Sequence, residues 1–153
     1  MAIGLRRAAS TDARFVWEVN NHPSVRAQSI STADIPWESH LPWFERKVAD
    51  PRARFYVVSL EGADVGVVRI DEGDTDAVIS IALRPEARGR GAGAEAILAA
   101  TRDLHGGRPG LPVVAWVRPA NGASLAAFAR AGYVASGSSV QDGVELVRLV
   151  NTG

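Results

Sequence analysis

The chain has 153 residues, with 17 basic and 17 acidic side chains, and it contains no cysteine. This length predicts one domain over residues 1–153 with a substantial hydrophobic core, and the balanced charge argues against a non-specific nucleic-acid binder. Without cysteine the chain has no disulfide and no thiolate nucleophile, and its three scattered histidines give no reason to expect a metal site.

The amino-terminal half predicts two helices followed by a series of strands. Cap residues precede apolar residues at helical spacing over residues 8–21, and a second amphipathic pattern covers residues 35–51. Pro42 is tolerated in the second helix if that helix begins near Ser39, because first-turn positions need no amide donor. β-branched and aromatic runs separated by polar turns then predict three strands, the first two paired as a hairpin. These strands occupy residues 54–60, 64–70 and 77–83.

The carboxyl-terminal half alternates helices with strands. A helix is predicted from about Ala94 to His105, where two glycines end it. A buried strand, a short helix that stops at a glycine, and a closing pair of strands follow at residues 111–117, 121–132, 133–138 and 144–150. The whole order, roughly β-α-α-β-β-β-α-β-α-β-β, predicts an α/β fold in which a mixed sheet carries helices on both faces.

A glycine-rich loop, RPEARGRGAGAEA, lies between the third strand of the series and the following helix. Successive backbone amides that lead into a helix amino terminus form a cradle for a phosphate, and Arg88 and Arg90 add positive charge. The loop has no lysine, which excludes a Walker-type nucleotide loop. A dinucleotide fold is disfavoured because too little chain follows, and because the next strand ends in an arginine instead of an acidic residue. The spacing that remains is Arg-x-x-Gly-x-Gly, at Arg88, Gly91 and Gly93.

A second motif follows the loop. In VRPANGASLAAFARAGYV, Asn121 opens a helix, Ser124 and Phe128 lie along it, and a Gly-Tyr pair ends it. The two motifs together resemble those of the GNAT N-acetyltransferase superfamily, and the similarity covers roughly residues 55–150. The resemblance implies a mixed, mostly antiparallel sheet of six to seven strands that splays around acetyl-coenzyme A (acetyl-CoA).

The resemblance also implies which residues bind the cofactor. The pantetheine arm is expected along the strand that precedes the loop, and the pyrophosphate in the loop itself, supported by the helix dipole. Taken alone, an asparagine at position 121 is more often a helix cap than a ligand. The expected cofactor-binding residues are Ile81, Ala82, Leu83, Arg88, Gly89, Arg90, Gly91, Ala92, Gly93, Asn121, Ser124 and Phe128.

In this superfamily an amine attacks the thioester directly, so the amine must lose a proton and the thiolate must be protonated or stabilised. Many members carry a tyrosine acid at the position of Phe128, which has no proton to donate. Ser124 and Tyr133 are the nearest hydroxyls, although Tyr133 could instead begin the next strand as a core residue. Ser80 alternates with apolar neighbours and could order a water, and an imidazole such as that of His40 titrates near neutrality. The candidate catalytic residues are Ser80, His40, Ser124 and Tyr133.

The amino-terminal half carries a weaker resemblance, to acetyltransferases of nonulosonic (pseudaminic or legionaminic) acid biosynthesis, which act on nucleotide-linked amino sugars. A tryptophan could stack on a sugar or base, an arginine could meet a phosphate, and a carboxylate could hold an ammonium. The expected substrate-binding residues are Arg26, Trp37, His40, Arg69 and Asp71. Two alternatives stay open: acetylation of polyamines or protein amino termini, and a non-catalytic domain that binds coenzyme A.

The expected partner is therefore a small-molecule amine, with no nucleic acid and no membrane. No apolar run is long enough to span a membrane and the amino terminus lacks a signal-peptide core, so we expect a cytoplasmic protein. Dimers are frequent in the superfamily, which by analogy alone makes a homodimer an expectation.

Overall fold

The computed structural model describes residues 2–153, which form one seven-stranded sheet and five α-helices. The strands are β1 (Ile3–Arg7), β2 (Ala53–Leu60), β3 (Ala63–Glu72), β4 (Ala77–Leu83), β5 (Val113–Val117), β6 (Val134–Gln141) and β7 (Val144–Asn151). The helices are α1 (Ala13–Asn21), α2 (Pro23–Gln28), α3 (Trp37–Ala49), α4 (Ala92–Gly107) and α5 (Gly122–Arg130). None of the described helices is long and apolar enough to cross a membrane.

The sheet is open and mixed, with the strand order β1-β2-β3-β4-β5-β7-β6. Every neighbouring pair is antiparallel except β4 and β5, which are parallel and are joined through α4. A parallel pair needs such a crossover, because a tight turn cannot return the chain to the same end of the sheet. The expected α/β fold with a mostly antiparallel sheet of six to seven strands is confirmed.

The parallel pair is short, and this opens the sheet. β4 and β5 are paired over two positions only, Ala77 with Val113 and Val78 with Val114. On its other side β4 pairs with β3 along its whole length. The edge of β4 that faces β5 therefore has no strand partner over Ile79–Leu83. The two strands diverge into a wedge at their carboxyl ends, as the expected splayed sheet requires.

Helices cover both faces of the sheet. The larger core lies between α4, α5 and the face that carries Ile79 and Val113. The smaller core lies between α1, α3 and the opposite face, which carries Phe55 and Ala82. Because side chains alternate along a strand, Ser80 lies on the same face as Ala82. Ser80 is exposed, whereas Ile79 is buried, so the predicted orientation of Ser80 is confirmed.

The structure departs from the predicted elements in two places before the sheet. Helix α2 was not predicted, because six residues are too few to show a helical period; Pro23 begins it and the side chain of His22 caps it. The condition set for Pro42, a helix that begins near Ser39, is not met within the first turn, since α3 begins at Trp37 and contains Pro42 in its interior. Pro42 is exposed, so the carbonyl that it leaves unpaired in the preceding turn lies on the solvent side.

Candidate active site

The loop between β4 and α4 turns on two glycines in the left-handed region, Gly89 (φ 73°) and Gly91 (φ 77°). Other residues reach this region only at a cost in free energy. Gly91 is also the N-cap of α4, which begins at Ala92, two residues before the predicted start. Arg88 donates from Nη2 to the carbonyl oxygen of Leu83 at 2.7 Å, and so ties the loop to the end of β4.

The backbone amides of this loop are arranged to bind an anion. Within residues 2–153, the amides of residues 89–94 donate no hydrogen bond, and the first helical bond runs from Glu95 N to Gly91 O at 3.2 Å. The positive end of the 16-residue helix α4 adds to them. A Cβ at Gly93 would meet no described atom nearer than 3.5 Å, so packing within the chain does not require glycine there. Glycine at this position leaves room for a ligand to approach the backbone closely, and the free amides fit the expected pyrophosphate of a coenzyme.

The end of β4 presents free backbone groups to the wedge. Ile81, Ala82 and Leu83 lie beyond the last position at which β4 pairs with β5. Gly66 of β3 allows the close approach of this strand end, because a Cβ there would lie 2.5 Å from the carbonyl oxygen of Ala82 and 2.5 Å from Leu83 Cδ2. Gly66 therefore determines the position of the backbone on which the pantetheine arm is expected to bind.

A cavity of about 580 Å³ opens beside the same strand end, on the face covered by α1 and α3. Its wall also contains Trp43, Arg46 and Phe55, so aromatic and basic side chains surround it. Six residues of the predicted site line the cavity: Arg26, His40, Arg69, Ser80, Ile81 and Ala82. The cavity and the cofactor wedge therefore share the end of β4, which is the arrangement that transfer between two bound molecules needs.

A family model described as an acetyltransferase (GNAT) domain matches residues 3–134. The chain belongs to the GNAT acetyltransferase family. The expected enzyme class, an N-acetyltransferase that uses acetyl-CoA, is thereby confirmed. Comparison with curated proteins gave no match.

Solved GNAT structures share this fold at low sequence identity. The aminoglycoside acetyltransferase AAC(6')-Ib in complex with coenzyme A and kanamycin has a TM-score of 0.84 and 17% identity, covering 99% of this chain and 95% of that chain. The spermidine N-acetyltransferase from Vibrio cholerae in complex with CoA and spermine has a TM-score of 0.85 and 19% identity. The match covers 97% of this chain and 94% of that chain. At these identities the likeness establishes the fold and leaves the acceptor open.

The predicted substrate-binding residue Arg26 of this GNAT chain is extensively hydrogen-bonded to the protein. Its guanidinium donates to the carbonyls of Asn20 at 2.8 Å, Ser31 at 3.2 Å and Ala33 at 3.3 Å, and to Ser29 Oγ at 3.0 Å. Burial lowers the pKa of this guanidinium. Arg26 therefore shapes the irregular segment after α2, while its charge remains in the cavity wall.

Arg69 and Asp71 form one network with Lys47. Arg69 Nε donates to Asp71 Oδ2 at 2.8 Å, and Lys47 Nζ donates to Asp71 Oδ1 at 2.8 Å. Burial raises the pKa of Asp71, but the charge of Arg69 and the two hydrogen bonds outweigh it and hold this pKa below its usual value. The Arg69 guanidinium lies 5.0 Å from the ring centroid of Trp43 and lines the cavity, whereas Asp71 does not line it.

His40 lies in the cavity wall but is only 2% exposed. Its Nε2 donates to the carbonyl of Ala13 at 2.7 Å, so Nε2 carries the proton and Nδ1 the lone pair. Burial lowers the pKa of His40, which keeps the ring neutral at neutral pH, and the ring stacks on Phe44. Trp37 packs edge-on against Trp17 with centroids 5.3 Å apart, and it does not line the cavity.

Asn121 and Ser124 form the cap of α5. Asn121 Oδ1 accepts from Ser124 N at 3.2 Å, and Asn121 Nδ2 donates to Ser124 Oγ at 3.1 Å. The first bond is that of a helix cap and the second joins the side chains of the same two residues, so no cofactor is needed to explain Asn121. Because the Ser124 oxygen acts as an acceptor here, its own hydroxyl proton is left for another partner.

Phe128 and Tyr133 lie in the larger core. Phe128 is 3% exposed and packs edge-on against Tyr133, with centroids 5.1 Å apart. Thr101 Oγ1 donates to the carbonyl of Ile97 at 2.7 Å, so the Tyr133 hydroxyl donates to Thr101 Oγ1, also at 2.7 Å. Burial raises the pKa of Tyr133 to about 12. The phenol proton is therefore held inside the core, which fits the core alternative for Tyr133.

Sequence reasoning did not single out two residues that shape the site. Arg46 lines the cavity together with Ser39 and Trp43, at spacings of four and three residues along α3. Helical periodicity was thus a signal that would have found it. Gly66 offered no signal, because a lone glycine in a strand does not reveal which backbone approaches it.

Proposed function

We propose that the protein transfers the acetyl group of acetyl-CoA directly to a primary amine of a small molecule, and that this acceptor is a nucleotide-linked amino sugar. The observation that supports this choice is the charge of the cavity beside β4. The described residues that line the cavity include three arginines, Arg26, Arg46 and Arg69. No aspartate or glutamate is among these lining residues.

The net charge of the cavity wall is positive. Arg46 is exposed, and no carboxylate among residues 2–153 forms a salt bridge with it. Arg69 shares Asp71 with Lys47, so this trio keeps one positive charge. A unit charge about 8 Å from a guanidinium interacts with it by roughly 2 kcal/mol at an effective dielectric constant near 20. A diphosphate is attracted by this amount at each such pair, whereas a polyamine or an aminoglycoside, which carries several ammonium groups, is repelled.

The aromatic part of the wall fits the rest of such an acceptor. Trp43 and Phe55 line the cavity, and the Arg69 guanidinium lies over both rings, 5.0 Å and 5.8 Å from their centroids. Aromatic faces stack on sugar rings and nucleobases, and an arginine beside them meets a phosphate. This combination supports a nucleotide-linked sugar over a peptide amino terminus.

The same charge assists removal of the amine proton. A positive surrounding disfavours the ammonium form, so the pKa of a bound amine falls and more of it is the neutral nucleophile. Ser80 is exposed in the cavity and lies opposite Arg69 in the β3–β4 pair. We assign to Ser80 the ordering of a water that accepts the proton, with the neutral His40 and its Nδ1 lone pair as the second candidate.

The departing thiolate requires a proton as well. Acetyl-CoA supplies the reactive thioester when it is bound. Ser124 has a hydroxyl proton to donate, because its oxygen accepts from Asn121, whereas the Tyr133 proton is held by Thr101. Protonation by Ser124 or by water therefore fits the site better than protonation by Tyr133.

Thiol release from acetyl-CoA with matched acceptors tests the proposal. The acceptors are a UDP-linked 4-amino-4,6-dideoxy sugar, the methyl glycoside of the same sugar, spermidine and a peptide with a free amino terminus. We expect kcat/KM for the UDP-linked sugar to exceed that for the glycoside by about tenfold or more, equivalent to roughly 1.4 kcal/mol. Arg46→Gln should reduce this ratio, whereas Arg130→Gln, at an exposed α5 position outside the cavity lining, should leave it unchanged.

The other outcomes identify the alternatives. If spermidine or the peptide gives the highest kcat/KM, the acceptor assignment is wrong and polyamine or amino-terminal acetylation replaces it. If acetyl-CoA binds but no acceptor releases thiol, the domain binds the coenzyme without catalysis.

A further inference from the structure

Arg118, the first residue after β5, connects two parts of the chain on opposite sides of the site. Its Nη2 donates to the backbone carbonyl of Ser29, 89 residues earlier in the chain, at 2.7 Å. Its own backbone carbonyl accepts a hydrogen bond from Asn121 N at 2.9 Å, in the turn that begins α5. One residue therefore contacts both the end of α2, on the acceptor side, and the start of α5, on the expected cofactor side.

Ser29 belongs to the wall of the acceptor cavity. Its Oγ donates to the carbonyl of Val25 at 2.9 Å and accepts from Arg26 Nη2 at 3.0 Å, and all three residues line the cavity. After Ser29 the chain forms no regular helix or strand until α3 begins at Trp37. We call residues 23–36 the α2 wall. A short helix followed by irregular chain has low local stability, so the side-chain hydrogen bonds that hold it determine its position.

Arg118 is half-buried, and part of the hydrogen-bonding capacity of its guanidinium is unused. Its Nε is fully buried and, within residues 2–153, has no hydrogen-bond partner. A buried N–H without a partner destabilises a fold, and the bond to the Ser29 carbonyl is the compensation that the described residues provide. A side chain in such an unfavourable position points to a role in the site in addition to any role in stability.

We propose that Arg118 is a positioning residue that holds the α2 wall at a fixed distance from the start of α5. It thereby sets the position of the acceptor amine relative to the thioester. Arg118 does not itself line the cavity, so its effect on catalysis passes through Ser29. The kinetic part of this proposal rests on the proposed function, whereas the structural part is independent of it.

Amide hydrogen exchange tests the structural part without any acceptor. In Arg118→Met we expect the amides of the α2 wall to exchange at least about fivefold faster, with α3 and α4 unchanged. Arg118→Lys should restore slow exchange, because its ammonium still reaches the Ser29 carbonyl. Arg148→Met is the matched control: Arg148 bonds Ser136 Oγ at 2.6 Å, outside the cavity lining, and its loss should leave the α2 wall unchanged.

Kinetics tests the consequence for the reaction. In Arg118→Met the KM for the acceptor should rise about tenfold while the KM for acetyl-CoA stays within twofold, and Arg118→Lys should recover most of the loss. Unchanged exchange in the α2 wall, or faster exchange throughout the chain with both KM values raised, overturns the proposal. If the methionine variant does not fold, Arg118→Gln is judged by the same criteria. If the wild type turns over no acceptor, the proposed function fails while the exchange result still decides the role of Arg118.

Discussion

Substitution of Gly91 tests the phosphate cradle, because backbone strain and charge can be separated there. Gly91 has φ 77° and caps α4, so any other residue costs about 1–2 kcal/mol in this left-handed conformation. Gly91→Gln and Gly91→Glu share that strain and have nearly the same volume. They differ by one negative charge, placed beside the amides of residues 89–94, which donate no hydrogen bond within the described chain.

The expected difference follows from Coulomb's law. A carboxylate about 6 Å from a bound phosphate repels it by roughly 1–3 kcal/mol for effective dielectric constants between about 80 and 20. Gly91→Glu should therefore bind acetyl-CoA about 5- to 100-fold more weakly than Gly91→Gln in isothermal titration calorimetry at low salt, and added salt should narrow the gap. The wild type should bind in the micromolar range. Equal affinities of both variants and the wild type would refute the assignment of this loop to the pyrophosphate.

Three further changes test the strand end, the core tyrosine and the proposed acid. Gly66→Ala places a Cβ 2.5 Å from the Ala82 carbonyl oxygen, so urea unfolding should show a free energy of unfolding lower by about 1–3 kcal/mol, together with weaker acetyl-CoA binding. Unchanged binding would mean that Gly66 has no part in the cofactor site. The pKa of Tyr133 is raised to about 12 in the folded chain, above its unfolded value near 10. The stabilisation of the fold by the protonated phenol is therefore complete below about pH 10 and is lost as pH rises towards about 12. Urea titrations should show that the free energy of unfolding of the wild type falls by about 2–3 kcal/mol over that pH range relative to that of Tyr133→Phe. The same pH dependence in both proteins would contradict the burial of the phenol. Ser124→Ala should lower kcat about tenfold or more with little change in the KM for acetyl-CoA, and an unaltered kcat would leave water as the acid.

The conformation of the glycine-rich loop was predictable because the residues that set it are local in sequence. Arg88, Gly91 and Gly93 lie within six residues, and the left-handed turn and the helix start follow from the glycines themselves. The strands were predictable for a similar reason, since alternation over β4 places Ser80 opposite in direction to Ile79. The six-residue helix α2 was not predictable, because it is shorter than two turns and shows no helical period in the sequence.

The acceptor side depends on contacts between distant segments, which residue type and spacing do not report. Arg26 has the right chemistry to bind a substrate and Tyr133 to act as an acid. In the fold, however, Arg26 donates to Ser29 and other groups of the chain, and Tyr133 donates to Thr101. The absence of an acidic residue from the described cavity lining became visible only after helices and strands from separate parts of the chain were brought together. The bond from Arg118 across 89 residues has no local signal at all.

Because β4 and β5 pair over so short a length, the stability of the fold should depend on the concentration of acetyl-CoA, the acetyl donor. A strand edge in the middle of a sheet lacks the hydrogen bonds that a neighbouring strand would give. Any ligand that binds there only in the folded state raises the free energy of unfolding, by about 2.7 kcal/mol at one hundred times its Kd. This is a large fraction of the stability of an ordinary domain. We therefore expect the unfolded fraction, and with it the rate of degradation, to fall as acetyl-CoA accumulates, so that the amount of enzyme follows the abundance of its own substrate.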